Sequence, residues 1–375
     1  MDRPRRTAPF LGTLRDLLTA PSRRWWILGG ALLVAAAAVF AHEEFARMVR
    51  SFLRADWRWI LVGGGLMLLS LVLRSAALQL IVRAYDDVCS RITDTFSCTS
   101  IGLLANVLLP VRMGALLNPY VLFLLLRRRG AHTPFATTLG MTVTEQLFAA
   151  AVFVFLSLAF VSVLGVPSWA LQTLIAAAIL LVLAFGGGVA LQRSRRRWGA
   201  PATGDAAGGG GKRGAAGRLR RYLPQLVDSQ RILRRPLAAL TVVGVQSLAW
   251  IVQLSAAVAL LHAFHLGGAG WRAAALVLVL TNLIGILPLT PGNVGTFQVA
   301  AVAALAAYGV GSGPAMAFAL GLQGVQLLVA VLAGVVSLGL EDLTLKDLAG
   351  KSRHAAWALG RVEPAPLRAD GPAKP

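Results

Sequence analysis

The chain has 375 residues, 57% of them hydrophobic and only 14% charged, whereas a soluble domain carries about 25% charged residues. Its apolar residues form runs close to the roughly 20 residues that cross a bilayer as helix, which excludes a soluble globular protein and indicates an all-α, polytopic membrane protein. The 36 Lys and Arg residues outnumber the 16 Asp and Glu residues, but they cluster between apolar runs, which indicates cytoplasmic loops and anionic headgroups rather than nucleic acid.

The basic clusters also orient the first predicted elements. Residues 1–24 carry "RPRR" and "SRR" and are expected in the cytoplasm. A first span is predicted at 25–41, and a second span returns inward at 57–82. The letters "VFA" at 39–41 resemble a signal-peptide cleavage site. The basic region before the run is long, however, so we favour an uncleaved span, and cleavage stays open.

The next apolar segment, residues 96–126, is interrupted by the polar stretch "NVLLPVRMGALLNP". Arg91 precedes the segment and arginines at 127–129 follow it. A single crossing would leave one basic end outside, whereas a hairpin that enters and leaves on the cytoplasmic side keeps both inside. Pro110 lacks an N–H and Gly114 adds flexibility. We therefore predict a re-entrant helical hairpin with its turn at these residues.

Two further spans complete the first membrane half, residues 25–192. The span at 134–164 is predicted to cross outward and the span at 170–192 to return inward. A basic, Gly-rich cytoplasmic linker follows at 193–236, and its composition is typical of flexible chain.

The second membrane half, residues 237–340, contains an outward span at 237–264 and an inward span at 314–340. Between them lies an apolar segment, 271–310, that is broken at "PLTPGNVG" and has few Lys or Arg residues in its flanking loops. These features predict a second re-entrant hairpin, entering from the outside. Residues 341–375 are expected to form a cytoplasmic tail that is too short for a soluble catalytic domain.

The two halves share one pattern with opposite orientation. Residues 57–164 give a span inward, a hairpin and a span outward, and residues 237–340 give the reverse. The chain is thus predicted to have about six full spans and two hairpins in an inverted repeat, an arrangement that points to a translocation site between the halves. The alternative is that both breaks are ordinary loops between full spans.

Polar side chains within the apolar segments are the candidate binding residues, because they are costly in a membrane unless paired or facing a cavity. Glu145 shares a helical face with Thr138 and Thr142, and Gln246 shares one with Trp250 and Gln253. The candidates for lipid binding and translocation are Arg74, Asn106, Arg112, Asn118, Thr142, Glu145, Gln246, Gln253, Asn282, Asn293, Gln298 and Gln323. The residues expected to shape the hairpins are Pro110, Gly114, Pro288, Pro291, Gly292 and Gly295.

Two readings of these polar residues remain open. The functional one is a polar cavity for a lipid headgroup, and the other is hydrogen bonding between helices, worth around 0.6 kcal/mol per bond. The charges of Arg74, Arg112 and Glu145 favour function, while the glutamines alone favour the structural role. Cys89, Cys98, His262 and His265 match no metal spacing. We expect no cofactor, no metal and no catalytic residues.

Three stretches together resemble a known family. "LLPVRMGALLNPYVLFLLLRRRG", "VTEQLF" and "PLTPGNVGTFQ" resemble, in this order, the transmembrane region of lysylphosphatidylglycerol synthases, a flippase-like family. Residues that match the family's motifs are Pro110, Arg112, Gly114, Glu145, Pro291, Gly292 and Gly295. Residues that depart from them, mostly where the family has a charged residue, are Ala115, Asn118, Gln146, Asn293 and Gln298.

The resemblance implies lipid translocation across the inner membrane, with both termini cytoplasmic, and it does not imply lipid synthesis. Two alternatives stay open: a non-transporting partner that presents lipid to a separate transferase, and an intramembrane transferase that uses Glu145 and Arg112. The expected partners are membrane lipids, and a separate lipid-modifying enzyme is the further partner that the first alternative requires. The sequence does not identify the lipid, the energy source or the oligomeric state.

Overall fold

All regular structure in the described part of the chain is helical. The computed structural model describes residues 49–84, 90–108, 114–131, 133–198, 232, 235–285, 293 and 295–341. The helices are α1 (Trp57–Arg83), α2 (Ile92–Leu108), α3 (Gly114–Arg128), α4 (Phe135–Ala159), α5 (Val161–Leu164), α6 (Ser168–Trp198), α7 (Pro236–Ala263), α8 (Gly270–Gly285), α9 (Thr296–Ala306) and α10 (Ser312–Leu340). The predicted all-α, multi-pass architecture is confirmed.

Six helices among the described residues are long and apolar enough to cross a membrane. Five of them, α1, α4, α6, α7 and α10, coincide with predicted spans. The sixth is Gly267–Gly285, which lies where the sequence predicted the first arm of the second hairpin. This arm has the length of a full span because its apolar residues run from Ala273 to Leu280 and resume after Thr281 and Asn282. The predicted span at 25–41 lies outside the described residues.

Helix α7 packs against two other long helices, running antiparallel to one and parallel to the other. Its last residue, Ala263, accepts a hydrogen bond from the backbone N–H of Asp56 at 2.9 Å, and Ala249 accepts one from Ser70 Oγ at 3.1 Å, so α7 runs antiparallel to α1. Glycine permits close approach here, since a Cβ added to Gly63 would lie 3.0 Å from Leu260 Cγ. Against α4, by contrast, α7 runs parallel, with contacts at Glu145–Gln246 and at Ala149–Trp250.

Helices α2 and α3 form an antiparallel helical hairpin. The end of the hairpin away from its turn, which we call its open end, is held by an ion pair. This pair joins Asp94 Oδ1 and Arg129 Nη2 at 2.7 Å. Nearer the turn, a Cβ added to Gly102 would lie 2.9 Å from the Cβ of Asn118. The turn itself, residues 109–113, lies outside the described residues. That this hairpin enters and leaves the bilayer on one side stays a prediction.

The apolar interior consists of two clusters. One is built mainly by α7, α8, α9 and α10, and the other mainly by α1, α2, α3 and α4. A tight contact marks the first cluster, because a Cβ added to Gly321 would lie 2.2 Å from the Phe264 ring. Another tight contact joins α10 to the first hairpin, where a Cβ at Gly334 would lie 2.5 Å from Leu104 Cβ. The domain boundaries and the inverted repeat stay predictions.

Candidate functional site

The two intramembrane charges predicted from the sequence lie in one polar network between α1, α4 and α7. Arg74 of α1 donates from Nη2 to Gln253 Oε1 at 2.8 Å. Gln246 of α7 donates from Nε2 to Glu145 Oε1 of α4 at 2.7 Å. The charges of Arg74 and Glu145 also attract each other across this group. We call these four residues and Trp250 the central network.

The central network lies near the middle of three candidate spans. Glu145 is two residues from the midpoint of α4, and Arg74 is four residues from the midpoint of α1, which at 1.5 Å per residue is about 3 Å and about 6 Å. Gln246 and Gln253 lie on either side of the midpoint of α7. The network therefore lies near the midpoints of three helices that are long and apolar enough to cross a membrane.

Burial differs between the two ends of the central network. Glu145 is 6% exposed and Gln246 is fully buried, so the carboxylate end is sealed within the protein. Arg74, Trp250 and Gln253 are half-buried, so this end of the network is less sealed than the Glu145 end. The network thus combines a sealed carboxylate with a half-buried cation, and each is bonded to a glutamine of α7.

Trp250 is a member of the central network that the sequence analysis did not propose as a site residue. The guanidinium carbon of Arg74 lies 4.5 Å from the centre of its ring, a cation–π contact. Its indole Nε1 donates to the Ala149 carbonyl at 3.1 Å, and its ring packs on Phe153. The available signal was the spacing, because Trp250 lies between Gln246 and Gln253 on one face.

Two glutamines predicted as site residues form a second group, between α9 and α10. Gln298 Nε2 donates to Gln323 Oε1, and Gln298 Oε1 accepts from the Gly295 N–H at 2.6 Å. Gly295 has a φ of +89° and Asn293 a φ of +56°, so the chain enters α9 through left-handed backbone that favours glycine and asparagine. The prediction that Gly295 shapes this break fits its conformation.

Two asparagines form a third group, between α2 and α3. Asn106 lies against Gly114, since a Cβ at that glycine would be 2.5 Å from Asn106 Oδ1. Asn118 lies against Gly102 in the same way. The amide oxygens of both asparagines are buried and have no hydrogen-bond partner.

The remaining predicted residues do not contribute a bond between helices. Thr142 donates to the Leu139 carbonyl, and Asn282 donates to the Leu278 carbonyl, each within its own helix. Five predicted residues lie outside the described part of the chain: Pro110, Arg112, Pro288, Pro291 and Gly292. Within the described ranges, no group of three or more His, Cys, Asp or Glu side chains could hold a metal ion.

The open end of the α2–α3 hairpin carries a polar cluster that sequence reasoning missed. Asp94, which is 1% exposed, pairs with Arg129 and also accepts from the Arg91 N–H at 2.9 Å. Ser97 Oγ donates to Glu341 Oε1 at 3.0 Å, and Arg128 donates to the Glu341 carbonyl at 2.7 Å. The cluster therefore ties the first hairpin to the end of α10. In the sequence, these arginines indicate topology and carry no signal of their partners.

Comparison with known proteins gives one match. The family model described as the lysylphosphatidylglycerol synthase TM region matches residues 26–334, a range that includes all three polar groups. No curated protein and no solved structure matches the chain.

Proposed function

This chain belongs to the lysylphosphatidylglycerol synthase transmembrane family, and we propose that it translocates a phospholipid or lipid-linked amphiphile by binding its headgroup at the central network. Membership of the family links the chain to lipid biology. The observation that carries the finer proposal is that a half-buried Arg74 and a buried Glu145 each bond to a glutamine of the same helix, α7.

Hydrogen bonding between helices is too weak to account for these charges. On insertion scales each charged side chain at mid-bilayer costs roughly 2.5–3.5 kcal/mol, whereas a bond between membrane helices returns around 0.6 kcal/mol. Arg74 makes one such bond, to Gln253, and Glu145 makes one, to Gln246. A pair that served only to join helices would be more stable as apolar residues.

Arg74 is the residue that suits the phosphate of a headgroup. A guanidinium carries five N–H donors in a planar fork that matches phosphate oxygens. Within the described residues Gln253 takes one of these donors, and Trp250 covers one face of the group. The Arg74 side chain is half-buried rather than sealed, and in this proposal a headgroup that enters from the membrane accepts from the remaining donors.

Glu145 keeps the affinity of the site moderate. Its negative charge opposes an incoming phosphate and compensates Arg74 when the site is empty. A transport site must bind well enough for the headgroup to enter and weakly enough for it to leave. The opposed charges meet both requirements, and the burial of Glu145 keeps it from binding the headgroup's cations directly.

The test is lipid exchange between leaflets in reconstituted vesicles. Purified full-length protein is placed in phosphatidylglycerol–phosphatidylethanolamine vesicles that contain a trace of fluorescent phospholipid, and a membrane-impermeant quencher reports the outward-facing fraction. We expect faster exchange than in empty vesicles. Arg74→Gln should slow it at least about tenfold, equivalent to about 1.4 kcal/mol. Arg58→Gln, the same change at an exposed position on the same helix, should leave the rate within about twofold.

Three results would overturn the translocation proposal or favour one of its two alternatives. Exchange no faster than in empty vesicles for any headgroup overturns the proposal and favours the lipid-presenting alternative. Equal loss in both arginine variants shows that the effect does not come from the central network. A lipid-linked product that disappears from cells with Glu145→Gln, while exchange persists, favours the transferase alternative.

A further inference from the structure

The third polar group has a regular construction. Helix α2 carries Gly102 and Asn106 four residues apart, and α3 carries Gly114 and Asn118 with the same spacing. Because the helices are antiparallel, each glycine receives the asparagine of the other helix. The fit is tight, since an added Cβ would lie 2.9 Å from Asn118 Cβ at Gly102 and 2.5 Å from Asn106 Oδ1 at Gly114. The glycines thus bring two amide side chains into the space between the helices.

The third polar group contains hydrogen-bond acceptors that receive no hydrogen bond. Both amide oxygens, Asn106 Oδ1 and Asn118 Oδ1, are buried and have no hydrogen-bond partner, a state that costs free energy and calls for an explanation. Pro119, inside α3, has no N–H and therefore supplies no backbone donor here. Two side-chain oxygens of one helix pair are thus left without the bonds that a folded membrane protein normally supplies.

We propose that Asn106 Oδ1 and Asn118 Oδ1 bind a sodium ion between α2 and α3. A cation satisfies several acceptor oxygens at once, as Na⁺ does for backbone carbonyl oxygens at interrupted membrane helices. Divalent cations favour carboxylate ligands, and the two side-chain ligands here are neutral amides, which selects a monovalent ion. The close contact at both glycines selects a small one. The site is separate from the central network and goes beyond the proposed function.

Binding is measured directly on the full-length protein in detergent, with no transport involved. Radioactive Na⁺ is titrated at constant ionic strength, with choline replacing sodium, and K⁺ is tested as a competitor. We expect saturable Na⁺ binding that K⁺ displaces poorly. Asn106→Ala and Asn118→Ala should each weaken it at least about tenfold, equivalent to about 1.4 kcal/mol.

Asn282→Ala is the matched control. Asn282 also precedes a helix break within an apolar segment, but its amide donates to the Leu278 carbonyl at 2.8 Å. This variant should bind Na⁺ within about twofold of the unmodified protein, because its side chain is already satisfied. Asn106→Asp keeps the shape and adds a negative charge, so it should bind Na⁺ more tightly at pH 8, and it serves as the test if the alanine variants fail to fold.

Several outcomes overturn the proposal. These are no saturable Na⁺ binding, equal displacement by K⁺ or choline, and unchanged affinity in both alanine variants or in Asn106→Asp. Occupancy of the two oxygens by water alone would appear as the first of these. Because no lipid exchange is measured, failure of this site leaves the proposed translocation untouched, and failure of translocation leaves this site untouched.

Discussion

The interaction between Arg74 and Glu145 can be measured by a double-mutant cycle on stability. Glu145→Gln keeps the size of the side chain, Arg74→Gln shortens it, and each leaves the other charge without compensation. Residues that share a hydrogen-bond and charge network show interaction energies of roughly 0.5–3 kcal/mol. We therefore expect each single variant to lower the free energy of unfolding by about 2 kcal/mol or more.

The double variant Arg74→Gln/Glu145→Gln should be less destabilised than the sum of the two single variants by about 2 kcal/mol, because it removes both charges at once. The amide introduced in place of the Glu145 carboxylate would still accept from Gln246 Nε2, so the hydrogen bond at 2.7 Å need not be lost. The assay is reversible unfolding in mixed micelles with a constant lipid fraction. Arg58→Gln combined with Glu145→Gln is the control cycle, since Arg58 is exposed at the start of α1.

The cycle has a clear negative result. Additivity within about 0.5 kcal/mol for Arg74 and Glu145, the same as in the control cycle, would mean that the two charges do not interact. A Glu145 side chain that is neutral in the folded protein would produce this result. The argument that Glu145 moderates headgroup binding would then be refuted, whatever the exchange assay shows.

Three further predictions concern helix packing at Gly114, lipid exchange at Trp250 and the open end of the first hairpin. Gly114→Ala should lower the free energy of unfolding by roughly 1–3 kcal/mol, because its Cβ would overlap the backbone oxygen of Gly102 in α2. Gly65→Ala is the control in the same unfolding assay, and it should be neutral because its Cβ would have nothing within 4 Å. Trp250→Phe should slow lipid exchange less than Trp250→Leu, because phenylalanine keeps a ring under the guanidinium while losing the Nε1 bond; equal rates would contradict this. Asp94→Asn should speed proteolysis or thiol labelling at the open end of the first hairpin, since it breaks the buried pair with Arg129, and unchanged labelling would show that the pair does not hold that end closed.

Apolar runs and charge placement were enough to predict five of the six span-length helices. They work because a membrane helix needs about 20 apolar residues and because flanking arginines mark its ends. The same reasoning underestimated the arm at Gly267–Gly285, since a break in the sequence says where a helix ends and not how deep it lies. The depth of both hairpins accordingly remains a prediction.

The central network was predictable only in part. Arg74 and Glu145 stand out because a charge within an apolar run is costly. Their partners on α7 depend on how three helices are placed side by side, and a helical face carries no information about that placement. Trp250 was missed for the same reason, because an aromatic residue on a membrane helix has an apolar explanation until a cation is found on its ring.

The three polar groups differ in how completely they are satisfied, and this difference bears on what each can do. Gln298 both donates and accepts within its group, as a structural joint between α9 and α10 requires. Glu145 and Arg74 each have one bonded partner and an opposite charge nearby, which suits a site that binds and releases a charged headgroup. Both asparagine oxygens lack a partner, and one oxygen of the central network, Gln246 Oε1, lacks one as well. Because a buried acceptor without a partner costs free energy, the asparagine group, which has two such oxygens, is where a ligand from outside the chain would contribute most.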